Sequence, residues 1–132
     1  MIFTSDTWPT NRWPNFSFGE MRCKQTGECD MDPEFMDALQ EARTIDEHPW
    51  DISSGFRSKL HSDEAGKSAP GSHTYGLAVD IKCSGERAYD IARLVFMGGF
   101  TGIGFSQKGD HGERFLHLDK AIHVPRPAIW SY

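Results

Sequence analysis

His73 and Asp80 stand seven positions apart in Ser72-His73-Thr-Tyr-Gly76-Leu-Ala78-Val-Asp80. An imidazole and a carboxylate together suit a borderline-soft divalent ion such as zinc. On an unbroken strand the two side chains would face opposite sides, because the side-chain period is two. Gly76 lies between them and permits a turn that folds His73 back onto Asp80. Asp80 also interrupts an apolar run, Leu77-Ala-Val-Asp-Ile81, where a carboxylate is costly without a partner and a metal would be one. A third donor comes from Arg114-Phe-Leu-His117-Leu-Asp119. His117 and Asp119 are two apart and so share a strand face. Three protein ligands leave a fourth zinc position for water, the pattern of catalytic rather than structural zinc. Such an ion lowers the pKa of water toward neutrality and polarises a scissile carbonyl. Taken singly, each residue has an ordinary reading as a packed or solvated side chain; the combination carries the metal assignment.

Elements must be found to position these residues. Asp32-Pro33 opens a helix expected to run to about Thr44, with Asp32 as cap, Pro33 in the first turn and Glu34 favourable to the dipole. Phe35, Met36, Leu39 and Ala42 fall on one face of it. A second helix is expected over Glu86 to Met97, ended by Gly98-Gly99. Trp50 to Gly55, Leu77 to Ile81, Phe100 to Phe105 and Arg114 to Asp119 read as strands. Lys59 to Ser72 is polar and Gly/Pro-bearing, a surface loop, and Lys108 to Gly112 is a turn. The sum is an α+β domain: a small antiparallel sheet with helices packed on one side.

The Ser-His-x-x-Gly-x-Ala-x-Asp string, the preceding Ser54-Gly-Phe-Arg57-Ser58 and the later Phe115-Leu-His-Leu-Asp119 resemble the zinc peptidases of family M15. These are D-Ala-D-Ala carboxypeptidases and murein endopeptidases, and the likeness is to their short phage and bacterial branch in particular. It extends to Phe16-Ser-Phe-Gly-Glu20 with Cys23, to the helix after Pro33, and to the Trp130-Ser-Tyr132 end. The resemblance implies a Hedgehog/D-Ala-D-Ala-peptidase-like fold and one Zn2+ per chain on His73, Asp80 and His117. It also implies hydrolysis of peptidoglycan stem peptides or cross-links, as a carboxypeptidase, an endopeptidase or a phage endolysin. Arg57 matches an arginine facing the substrate or the developing charge on the carbonyl, a role suited to a bidentate guanidinium. Its ordinary alternative is a salt bridge that fixes the loop. Ser72 either bonds to the site or shapes the turn. Several members carry an acidic residue three positions before the last histidine, where this chain has Arg114. The general base is therefore Asp119, on the strand face of His117, or Glu113, if a bulge shifts the register. Asp119 has a second candidate role, orienting a ligand. The rival class is a zinc-stabilised binding module or virion-associated structural protein with the same fold and no turnover.

The 132 residues suit one domain, with 1–30 an irregular arm carrying at most one short strand. A net charge of -5 gives no reason to expect nucleic acid as a partner. No run approaches the ~18 apolar residues of a membrane span, and the N-terminus lacks a basic segment followed by an apolar one. The expectation is a monomer made in the cytoplasm without a signal peptide and acting on the cell wall, at host lysis or as part of a virion. Cys23, Cys29 and Cys83 are expected to be reduced thiols, and His48, His61 and His123 surface or loop residues. Gly98-Gly99 and Gly102-x-Gly104 are read as turn markers.

Overall fold

The longest helix starts where its cap predicts. In the computed structural model, which describes residues 2–132, the Asp32 carboxylate accepts the Phe35 N–H at 2.9 Å. Met1, the first residue of the expected 1–132 domain, lies outside the described residues. A short helix α1 spans Phe18–Met21, and α2 follows over Pro33–Asp46. Strand β1 (Asp51–Ser54) leads through a long loop to β2 (Ala78–Lys82) and helix α3 (Gly85–Met97). Then come β3 (Gly102–Ser106), a 3-10 turn over His111–Glu113, β4 (Phe115–Asp119) and β5 (Ala128–Ser131). The strands form one sheet in the order β1-β2-β4-β3-β5.

The α+β class is as expected, but the sheet is mixed. β1, β2, β4 and β3 pair antiparallel, whereas β5 runs parallel to β3, with Ile103 opposite Ile129. The physical reason is the return of the chain: Lys120–Pro127 crosses from the end of β4 back to the start of β3 before the last strand begins. Helix α2 also runs to Asp46 rather than Thr44, and Glu47 ends it in the left-handed conformation.

Alternation along the strands separates a core from a site. Val79, Ile81, Leu116, Leu118 and Ile103 turn to one face and join Phe35, Met36, Leu39, Ile91 and Val95 of the helices in the core. Asp80, His117 and Asp119, at the intervening positions, face the other way. Residues 2–30 of the arm are ordered around an aromatic cluster rather than a strand. Trp8 and Trp13 pack with centroids 4.9 Å apart, and Phe3 meets both edge-on. The arm's pairing is a single bridge, Phe3 with Cys29. Arg12 and the Trp13 indole N–H latch the arm to Asp37 of α2.

Two contacts make predictions of stability. Asp46, at the end of α2, accepts from the Trp50 indole at 2.7 Å and from Arg87 of α3. Burial alone would raise its pKa, but the Arg87 and Trp50 hydrogen bonds outweigh burial and lower it. A depressed folded value means the stabilisation is complete above the unfolded carboxylate value, about 3.9, and is lost as pH falls through the folded one. Asp46→Asn is therefore expected to cost about 1–2 kcal/mol at pH 7, with the gap from wild type closing in urea titrations toward pH 2. Gly76 has φ +69°, and a Cβ there would lie 2.1 Å from the Asp30 carbonyl oxygen. Its own carbonyl accepts the Asp32 N–H at 3.0 Å, docking the turn on the start of α2. Gly76→Ala is expected to destabilise the fold by about 2–3 kcal/mol, read as a lowered thermal midpoint.

Candidate metal centre

The Gly76 turn brings His73 over β2. The three donors His73, Asp80 and His117 are all buried, and their ligand atoms lie within 4.8 Å of one another. His73 Nε2 is 3.4 Å and His117 Nδ1 3.0 Å from the same Asp80 oxygen, Oδ1. Tetrahedral ligands at zinc distances stand about 3.4 Å apart, so the spacing fits one small ion.

The remaining ring nitrogens are engaged. His73 Nδ1 is 2.8 Å from the Gly55 carbonyl, to which it donates when neutral and Nδ1-protonated. His117 Nε2 is 2.7 Å from Asp119 Oδ2. These contacts fix the ring orientations and leave Nε2 of His73 and Nδ1 of His117 toward the ion position, as outer partners of metal-binding histidines do. Gly55 is in turn held by the arm. Phe56 N–H donates to the Met21 carbonyl at 2.8 Å, and a Cβ on Gly55 would sit 2.8 Å from that oxygen.

Desolvation would raise the Asp80 pKa, but hydrogen bonds from His117 and His73 outweigh it and hold the carboxyl well below its usual range. Burial lowers that of His117, while Asp119 and Asp80 raise it by more. The cluster is thus a carboxylate-rich site built for positive charge.

Asp119 is wholly buried. Its oxygens accept from Arg126 Nε at 2.8 Å, Arg126 Nη2 at 2.7 Å and the Ala121 N–H at 3.1 Å, besides His117. Burial pushes its pKa up, but Arg126 and His117 more than reverse this. These contacts are the ones that the second role considered for it, orienting His117, would use. Glu113 lies exposed in the 3-10 turn. Phe115, tilted against Tyr132 with centroids 5.1 Å apart, stands two residues before His117 on β4.

Arg57 reaches the cluster from the Asp80 side, with Nη2 3.6 Å from Asp80 Oδ2 and Nη1 3.8 Å from Glu64 Oε2. These are ion-pair distances too long for hydrogen bonds, so the guanidinium keeps its donors. Ser72 is half-buried and lines a groove that Arg126 and Trp130 also line. Asp110 and His111 are exposed, and His48 and His61 take no part in the cluster.

Two residues near the site, Glu64 and Arg126, carried no signal at sequence level, and Trp130 entered only through the resemblance of the chain's end. Glu64, in a polar loop, is buried and accepts from Lys67 at 2.9 Å, the Gly71 N–H at 3.1 Å and Thr74 at 3.2 Å. Arg126 supports Asp119. The Trp130 ring lies 5.2 Å from that of His117. Gly102 and Gly104 explain how these last two reach in. They are not turn residues but the first and third residues of β3, where a Cβ would lie 2.4 Å from Arg126 Nε at Gly102 and 2.5 Å from Trp130 Nε1 at Gly104. The missing side chains form a trough across the strand.

The fold and cluster define a small α+β domain with one His-Asp-His site able to hold a metal ion. A family model described as Peptidase M15 matches residues 14–119, and the chain belongs to that peptidase family. Comparison with curated proteins gave no match. Among the described residues no helix is long and apolar enough to cross a membrane.

Proposed function

We propose that this protein is a zinc peptidase that hydrolyses peptide bonds of bacterial peptidoglycan, in stem peptides or cross-links, from outside or within a lysing cell. The observation that carries the reading is the convergence of His73 Nε2, His117 Nδ1 and Asp80 Oδ1, with the other ring nitrogens already tied to Gly55 and Asp119. A bound zinc ion supplies Lewis acidity for the scissile carbonyl and for water. The chain's own residues supply the rest. Arg57 faces the charge that develops on the carbonyl oxygen, and Ser72 lines the wall where the peptide lies. Asp119 holds His117 in place, and Glu113, the other carboxylate the sequence offers for the role, accepts the proton from attacking water.

Glu113→Gln is accordingly expected to lower kcat by a factor of about 10²–10⁴ with metal content unchanged. A loss of that size in Asp119→Asn with metal affinity intact would transfer the role to Asp119. The exposed position of Glu113 also favours a second reading, a zinc-stabilised module without turnover. One experiment separates the two: elemental analysis of the purified protein, then digestion of sacculi with and without a chelator. About one zinc per chain with chelator-sensitive release of peptide fragments supports the peptidase. One zinc with no fragment from any sacculus supports the module, and no zinc overturns both.

A further inference from the structure

The segment after the family match, residues 120–132, does more than close the sheet. It forms one wall of a groove of about 500 Å³ against the loop that precedes His73, with Pro70 and Ser72 on one side and His123, Val124, Arg126 and Trp130 on the other. The groove adjoins the cluster on its His117 side, through Trp130, whereas Arg57 stands on its Asp80 side. A peptide crossing the site therefore passes from one to the other.

The chemistry of the groove is selective. No residue lining it is acidic, although the protein carries a net charge of -5. Ser72 supplies a hydroxyl, His123 an imidazole and Arg126 a guanidinium, three of whose five N–H donors are committed to Asp119 and Pro125. His123 stacks on Tyr75 with centroids 4.3 Å apart, and its Nδ1 is buried without a hydrogen-bond partner. A buried polar atom with no partner is unfavourable until a ligand supplies one. Trp130 is not a free platform for a sugar ring, since Arg126 lies over it at 5.0 Å and His117 packs at 5.2 Å. Donors without acids, lined by Pro70 and Val124, suit a peptide that carries a carboxylate.

We infer that this groove is a substrate subsite that binds a carboxylate-bearing stretch of the stem peptide, with His123 as a specificity-determining contact. The inference deepens the peptidase reading and rests on it for the role in turnover, but the binding can be measured alone. The probes are a synthetic stem tetrapeptide with free carboxylates and its fully amidated counterpart, titrated calorimetrically into zinc-loaded protein. Wild type is expected to bind the free-carboxylate peptide about tenfold more tightly, a preference lost in His123→Ala. Val124→Trp, at an exposed position, is expected to weaken both peptides by filling the groove. Equal binding of the two peptides by wild type, or a preference unchanged in both variants with zinc content intact, overturns the subsite. Sacculus digestion by the same preparations tests the peptidase reading separately: a His123-dependent preference without cleavage would retain the subsite and remove the peptidase.

Discussion

His73→Ala is expected to purify without stoichiometric zinc and to release peptide fragments from sacculi at least on the order of 10³-fold more slowly than wild type. The expectation follows from how few donors the site has. Among the described residues two imidazole nitrogens and one carboxylate oxygen converge, and removing one leaves a pair that no longer defines a tetrahedral position. Lewis-acid stabilisation amounts to several kcal/mol of barrier, and each 1.4 kcal/mol is about tenfold in rate. His73 is a cleaner choice than His117. Its loss frees the Gly55 carbonyl and removes one of the two imidazoles beside Asp80, whereas loss of His117 would leave the Asp80 and Asp119 carboxylates without the ring between them. Fold integrity is checked by circular dichroism and activity by fragment chromatography. Full activity in the variant with zinc still bound would sink the ligand assignment.

The parts of this site that were legible in the sequence are those where a local rule meets a chemical oddity. Asp80 in an apolar strand and His117 two before Asp119 stand out because alternation puts each on the face away from Leu116, Leu118 and Val79. Gly76 was readable because a His seven residues before an Asp needs a reversal, and the left-handed φ of +69° supplies it. Helix α2 announced itself through Asp32 and Pro33. What stayed hidden depends on contacts distant in the chain. Nothing local marks Glu64 as buried, because its burial comes from Lys67, Gly71, Thr74 and Arg57 gathering around it. Gly102 and Gly104 looked like turn residues because glycine is usually depleted in strands. Their purpose is set by Arg126, just before β5, and by Trp130 within that strand, whose parallel pairing no periodicity could disclose. The role of Asp119 was open for the same reason: its partner Arg126 arrives from across that trough.

Asp119→Ala should produce two losses that separate by measurement. The first is stability. The Arg126 guanidinium, largely buried, would lose both of its bonds to the Asp119 oxygens at 2.8 and 2.7 Å and keep only the Pro125 carbonyl. Removing one member of a buried ion pair costs about 3–5 kcal/mol because the other charge is left uncompensated. The second is metal affinity, expected to fall about 10–100-fold as His117 loses the carboxylate that fixes its ring. The double variant Asp119→Ala with Arg126→Leu distinguishes them. Removing the stranded charge should recover much of the stability, read by urea denaturation, while zinc affinity in a chelator competition stays low. If affinity recovers together with stability, Asp119 acts on the metal only through folding. If neither changes in the single variant, the His117–Asp119–Arg126 chain has no hold on the site.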